Sequence, residues 1–336
     1  MDSLTQIALG AAIGEATLGR KVGHRAMLWG AVCGTLPDLD VFIPMGDAVQ
    51  SFTYHRSFSH SVFVLTAITP LLAWLILKLH PQTAAHRRGW LWLVFLVLVT
   101  HPILDSFTVY GTQLFWPFYP TPMSWSTIFI IDPLYTLPLL VGVICALVAG
   151  RKAAWGYRIN AAGLALSSLY LVWTVAAKLH VEDVARESLA QQGISAERLQ
   201  SVAAPFNTLL WRVLVMADDG YYEGFYSLLD RERRLITTRY PSEPALLTGL
   251  EDHWPVRRLQ WFTRGFYAVS QRDDAVVMTD LRMGLEPEYV FSFKVGEISN
   301  PHARPAPPEM LPAIRNFGRL AWVWERIWSE YAVEQR

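Results

Sequence analysis

Charge is scarce in this chain: only 17% of its 336 residues are Asp, Glu, Lys or Arg, against 52% hydrophobic. Soluble domains carry about 25% charged residues, so the shortfall, with a positive mean hydropathy, points to a membrane protein. The charge that exists is unevenly spread. Residues 1–179 hold 11 Lys/Arg and 7 Asp/Glu, leaving 18 and 22 for the remaining 157. The formal net charge is zero and no basic run occurs; phosphate contacts need clustered Lys and Arg, so no nucleic-acid partner is expected. Cysteine is nearly missing, and Cys33 and Cys145 both sit in apolar stretches, which argues against a disulfide framework or a thiolate zinc site. A Gly-x-Ser-x-Gly elbow and an internal repeat are also lacking.

What is present is a series of apolar runs. Runs at 58–79, 89–106, 128–149 and 157–178 approach the roughly 20 residues that cross a bilayer as a helix. Two further helical segments, 4–19 and 24–43, precede them. The first is rich in small residues (Ala8, Gly10, Ala11, Ala12, Gly14), suited to close helix packing, and it lacks the basic flank of a cleavable signal peptide. Basic residues gather in three connections: Arg20, Lys21 and Arg25; Arg87 and Arg88; and Arg151, Lys152 and Arg158. The positive-inside rule makes those loops cytoplasmic. Threading then sends 44–57, 107–127 and everything after 179 outward.

Beyond residue 180 the pattern turns to strands. After a polar helical stretch to Gln200, Trp211–Met216 and Tyr221–Leu229 flank Ala217-Asp218-Asp219-Gly220, a hairpin signal. Arg257–Gln271 and Ala275–Leu281 flank Arg272-Asp273-Asp274 in the same way, and Tyr289–Val295 adds another β-rich run. Pro301 to Pro312 reads as a linker, and Leu311–Tyr331 as a closing helix whose Trp322, Trp324 and Trp328 either pack on the sheet, the favoured reading, or sit at the bilayer interface. The expected fold is thus an α-helical integral membrane domain of five or six helical segments (1–179), followed by a small β-rich α+β extracytoplasmic domain with a C-terminal helix (180–336). The chain is expected to be multi-pass in the inner (plasma) membrane, with the lipid bilayer as its partner.

Ionisable groups inside membrane segments cost on the order of 2.5–3.5 kcal/mol each at a helix centre on insertion scales, so those retained call for a reason. Here they are Asp38 and Asp40 in Pro37-Asp38-Leu39-Asp40, His55 and His60 in His55-Arg56-Ser57-Phe58-Ser59-His60-Ser61, His101 and Asp105 in Thr100-His101-Pro102-Ile103-Leu104-Asp105, and Asp132 before Pro133. Threading brings all of them to the outward ends of four helices. His101 and Asp105, four apart, share a face if the helix continues through Pro102; Asp38 and Asp40, two apart, share one only if that segment is extended.

Imidazoles and carboxylates without thiolates make a set for a divalent metal, zinc first and manganese next. His55, His60, His101 and Asp105 are the expected metal ligands. Asp38 and Asp40 are the expected catalytic carboxylates, either ligands or general base, and Arg56 is placed to bind a substrate phosphate. Each residue alone has a plainer reading, as a cap, a turn former or a packed histidine, and Asp132 before Pro133 is a natural N-cap. Convergence is what favours a site. Ser57, Ser59 and Ser61 beside His60 form a weaker case for a serine nucleophile, since adjacency in sequence does not make a triad.

The opening Met1-Asp2-Ser3-Leu4-Thr5-Gln6, Gly34-Thr35-Leu36-Pro37-Asp38-Leu39-Asp40, the His55 to Ser61 motif and Thr100 to Asp105, in that order, resemble the YdjM-type membrane-bound metal-dependent hydrolases over about residues 1–180. The resemblance implies a distant relation to zinc phospholipase C and its nuclease relatives, whose His-x-x-x-Asp ligand pair is similar to His101 and Asp105. Many members carry Thr-His where this chain has Thr5-Gln6, and glutamine is a poor zinc ligand. The resulting expectation is hydrolysis of a phosphoester or lipid-linked substrate at the outer membrane face. Two alternatives belong to other classes: a non-enzymatic membrane protein with a structural metal site and a partner-binding β domain, and an ion transporter. A transporter needs polar residues through the membrane depth, which the clustering at one face disfavours.

Overall fold

The computed structural model describes every residue except 152, 300–301, 314–317 and 331–336. Lys152, Pro301 and Tyr331, which bound three of the expectations above, lie outside the described residues. The chain divides into two compact units, one of Met1–Ile43 with His55–Thr174, the other of Pro44–Tyr54 with Val175–Arg336.

The first unit is helical. α1 (Ser3–Gly14) starts on Asp2, whose side chain accepts from the Thr5 amide, and passes through a π-helical turn, Glu15–Gly19, into α2 (Arg20–Val22). α3 (His24–Thr35) returns alongside α1. The contact is backbone to backbone: a Cβ added to Gly10 would lie 2.2 Å from the Gly30 carbonyl oxygen, and one on Gly30 would lie 2.1 Å from that of Gly10. The small-residue run of the sequence is therefore a helix-crossing surface, as such stripes are in membranes.

Pro37–Phe42 follows as a 3-10 turn; α4 (Ala48–Tyr54) belongs to the second unit. A 3-10 turn, Phe58–His60, leads to α5 (Val62–Leu79), then Pro81–His86 to α6 (Arg87–Ser106), and α7 (Pro133–Ala149) and α8 (Ala154–Gln191) complete the helices of this part. Leu9, Ala12, Trp90, Leu93, Val94, Val97 and Leu139 are buried at the centre. Among the described residues, three stretches are long and apolar enough to cross a membrane: Val62–Leu79, Pro81–Ser106 and Ala154–Gln191; Pro133–Ala149 is apolar but shorter. Helix α8 runs unbroken through residue 179.

The second unit holds two four-stranded antiparallel sheets. β1 (Leu199–Ala203), β2 (Leu210–Ala217), β3 (Gly220–Ser227) and β4 (Thr237–Pro241) lie in sequence order, and the β2–β3 hairpin turns at Asp218-Asp219 as the sequence predicts. α9 (Trp254–Phe262) precedes β5 (Tyr267–Arg272), β6 (Ala275–Asp280), a small β7 (Gly284–Leu285) and β8 (Glu288–Tyr289) pair, β9 (Ser292–Glu297) and β10 (Arg304–Met310). The second sheet is ordered β10-β9-β6-β5.

Two expectations are corrected here. The start of the run 257–271, as far as Phe262, is helix, because Val256, Leu259 and Phe262 recur at helical spacing and all are buried. The Pro-rich segment is not merely a linker: Arg304–Met310 is a strand at the sheet edge, the position where a missing amide hydrogen is tolerated. In α10 (Arg319–Trp328), Trp322 packs against Phe225 at a centroid distance of 4.9 Å, as expected, whereas Trp324 and Trp328 are exposed.

α4 is built into this second unit. Phe52 stacks among Phe262, Phe291 and Phe293 at 4.8, 4.6 and 5.1 Å between ring centroids. Arg258 Nε donates to Thr53 Oγ1 (2.9 Å), and its guanidinium lies over the rings of Tyr54, Trp254 and Trp261. Val49 and Thr53 are fully buried.

Candidate metal centre

Within the first unit, Asp38, His60, His101 and Asp105 each offer one ligand atom, and these four atoms lie within 4.8 Å of one another. His101 and Asp105 come from the last turns of α6, which remains helical through Pro102, so their spacing of four puts both on one face. Asp38 comes from the 3-10 turn after α3, and His60 ends the 3-10 turn before α5.

Each imidazole is oriented by its other nitrogen. His101 Nδ1 is 2.8 Å from the Gly34 carbonyl oxygen; a carbonyl only accepts, so Nδ1 carries the proton and Nε2 is a bare lone pair. Ser59 Oγ donates to Asp40 Oδ2 (2.5 Å) and lies 2.9 Å from His60 Nδ1. With its own proton given to Asp40, the hydroxyl accepts from His60 Nδ1, and His60 Nε2 likewise faces inward. A metal-binding histidine is characteristically tied in this way.

The inward atoms form a tight group. His60 Nε2 is 3.3 Å from Asp38 Oδ1, 3.3 Å from Asp105 Oδ2 and 3.3 Å from His101 Nε2. His101 Nε2 is 3.5 Å from Asp38 Oδ1 and 3.6 Å from Asp105 Oδ2. Asp105 Oδ2 is buried and accepts no hydrogen bond. Arg56 Nε, 3.3 Å away, is an ion-pair neighbour of this oxygen, and the four converging ligand atoms make a donor set that fits a metal ion. Two groups outside the long apolar helices show the electrostatics. Burial pulls the His60 imidazole down, but Asp105 and Asp38 beside it outweigh that and raise it above its ordinary value. Burial works to raise Asp38, yet the hydrogen bonds of His101 and His60 hold its carboxyl well below the usual carboxylate range.

The other sequence-predicted residues surround this group. Asp40 accepts from His55 Nδ1 (2.8 Å), the Arg56 amide (3.0 Å) and Ser59, and so gathers the His55 to His60 motif on one carboxylate. Asp38 and Asp40 face different partners because residues two apart diverge by about 120° in a 3-10 turn. His55 is paired with Asp40 instead of standing among the four donors, and its side chain keeps 25% exposure. Arg56, in the left-handed region at φ 61°, is buried; its Nε lies 3.3 Å from Asp105 Oδ2 and its guanidinium 5.2 Å from the Tyr110 ring centre. Asp132 caps α7, accepting from the Leu134 and Tyr135 amides and from Tyr170 Oη.

A contributor the sequence left aside is Gln6, whose Nε2 donates to Asp105 Oδ1 (3.0 Å) and to the His101 carbonyl (3.3 Å). The Met1 amine also contacts Asp105 Oδ1. Ser59, beside His60 in sequence, bridges Asp40 and His60 instead of standing as a nucleophile.

The four motifs that carry these groups fall within a match to the family model described as YdjM inner membrane protein, over residues 1–181. The chain belongs to the YdjM family. Within the curated proteins, this YdjM-family chain is similar to the uncharacterized protein YfhP of Bacillus subtilis (strain 168), 27% identical over 179 residues, 51% of each chain. The chain thus spans about half the length of that relative. No solved structure matches.

Proposed function

We propose that this YdjM-family protein is a membrane-bound metal-dependent hydrolase acting on a phosphoester or lipid-linked substrate at the outer membrane face. The observation that carries the reading is the convergence of ligand atoms from Asp38, His60, His101 and Asp105, with Asp105 Oδ2 accepting no hydrogen bond. Asp38, His60, His101 and Asp105 would hold the ion. Five of the six edges between their donor atoms measure 3.3–3.6 Å. Atoms this close suit a small divalent ion, and a set of two imidazoles and two carboxylates suits zinc first and manganese next.

Bound there, a divalent ion supplies Lewis acidity and lowers the pKa of a water toward about 7. The chain's own groups do the rest. Asp40 holds His55 through Nδ1 and leaves Nε2 to take up or return a proton. Arg56 offsets the carboxylates beside it. Leu39, Val41, Phe42 and Ile43, between and after the two aspartates, are exposed and apolar, which supports a substrate with an acyl or isoprenoid portion. One observation favours a second reading, a structural site in a non-enzymatic protein: four protein donors by themselves complete a tetrahedron. Asp38 argues for the enzyme, since its side chain is 23% exposed while the other three are buried, making it the ligand able to yield a coordination position.

Hydrolysis of phosphoester and lipid-phosphoester substrates by the full-length protein should vanish in chelator, return with zinc, and fall in acid as the ligand histidines take protons. Ser59→Ala should keep part of that activity, because the hydroxyl only orients His60. Activity that persists in chelator and is lost in Ser59→Ala would replace the metal mechanism with a serine nucleophile.

The orientation proposed is multi-pass in the inner membrane with the second unit extracytoplasmic, supported by the basic connections at Arg20–Arg25, 87–88 and 151–158. Single cysteines at positions 87 and 158 should resist a membrane-impermeant thiol reagent in intact cells, and one at Asp273 should react. The opposite labelling pattern would overturn both the orientation and the outer-face site.

A further inference from the structure

We infer that Gln6 is a positioning residue that presents Asp105 to the ion through one oxygen only, and thereby sets which metal the site selects. The inference rests on the metal site proposed above. Gln6 is buried on α1. Its Nε2 donates to Asp105 Oδ1 at 3.0 Å and to the His101 carbonyl at 3.3 Å, so one amide grips both the side chain and the backbone of the α6 ligand turn. The place where it does so is fixed by helix packing. A Cβ on Gly34 would lie 2.6 Å from the Gln6 carbonyl oxygen, and the carbonyl of that same Gly34 accepts from His101 Nδ1. The α1–α3 crossing therefore orients both α6 ligands at once.

The two Asp105 oxygens are consequently unlike. Oδ1 is occupied by Gln6 Nε2 and the Met1 amine. Oδ2 accepts no hydrogen bond and faces His60 Nε2, His101 Nε2 and Arg56 Nε. With Oδ1 held, the carboxylate cannot rotate to offer both oxygens, and it binds as a one-oxygen ligand. Four-coordinate zinc with short bonds accepts such a ligand. Larger oxygen-seeking ions gain most from carboxylates that grip with both oxygens and from higher coordination numbers. Removing the Gln6 amide leaves Oδ1 to the Met1 amine alone and loosens the carboxylate, which should thus cost zinc affinity more than manganese affinity.

The test is competitive titration of the metal-free full-length protein with zinc and with manganese against a chromophoric chelator, for the wild type, Gln6→Met, Gln6→Glu and Asp105→Asn. Gln6→Met keeps the length of the side chain without its donors; Gln6→Glu keeps its shape and exchanges the two amide N–H donors for a carboxyl group beside Asp105. Each should weaken zinc about tenfold, the lower end of what loss of an outer-shell partner costs, and should narrow the preference for zinc over manganese. Thermal unfolding of the metal-free proteins shows whether the variants are folded. A folded Gln6 variant with wild-type zinc affinity, or with both ions weakened equally, overturns the inference; so does loss of the fold in both variants, which would make Gln6 a packing residue. A wild type that binds no more zinc than Asp105→Asn brings down the metal site itself.

Discussion

His101→Ala is expected to abolish zinc binding and, with it, hydrolysis. The residue supplies one of four donors, and its Nε2 is aimed by a hydrogen bond from Nδ1 to the Gly34 carbonyl. Loss of a partner outside the ligand shell lowers metal affinity by about 10–100-fold; loss of a ligand should exceed that. Elemental analysis of the purified variant against the wild type measures the effect, and full zinc content in His101→Ala would dismiss the four-donor site. The dependence on pH has a definite sign. Because Asp105 and Asp38 raise His60 despite its burial, the metal-free imidazole keeps its proton to a higher pH than a free histidine does. An ion must displace that proton, so affinity weakens as pH falls through the raised value, and binding below it releases a proton. His55→Ala, by contrast, leaves all four donors in place and should reduce hydrolysis with zinc retained.

Phe52→Ala is expected to destabilise the second unit severely. The ring is buried among Phe262, Phe291 and Phe293, on a helix whose Val49 and Thr53 are fully buried. Truncating a core phenylalanine costs about 3–5 kcal/mol, a large share of the roughly 5–15 kcal/mol that holds a domain together. At about 2–4 °C per kcal/mol for a unit of this size, melting should fall by roughly 6–20 °C. A chain ended at residue 180 loses every one of those partners together, and protease should then cut within 44–54, a region that stays resistant in the full chain. Unchanged melting in Phe52→Ala, or a resistant 44–54 segment in the shortened chain, would contradict this packing.

Much of the helical unit was legible because its signals are long and compositional. Apolar runs marked α5 to α8, and the small residues of α1 marked a close crossing. The site motifs were legible too, since His and Asp stand out where so little else is charged. The roles within them were not. Whether Asp38 or His55 joins His60, His101 and Asp105 depends on the 3-10 turns at Pro37–Phe42 and Phe58–His60, which turn neighbouring side chains in different directions and leave no periodic trace over so few residues. Gln6 was set aside as a poor ligand, because ligand chemistry does not reveal a donor acting through another residue. In the second unit the hairpins announced themselves by their Asp-rich turns. α9 was hidden among β-prone aromatics, and β10 behind prolines that only an edge position allows. That α4 would join partners some 200 residues away could not be read from a short, mixed segment.

That last pairing has a consequence for synthesis. Phe52 leaves the ribosome about 210–240 residues before Phe262 and Phe293 do, an interval of roughly 10–50 s at about 5–20 residues per second. Through that interval the connector between the Asp38–Asp40 and His55–His60 motifs has an apolar helix and nothing in the emerging chain to bury it. The stretch that joins two ligand-bearing motifs is thus among the first parts to be made and among the last to reach its final packing.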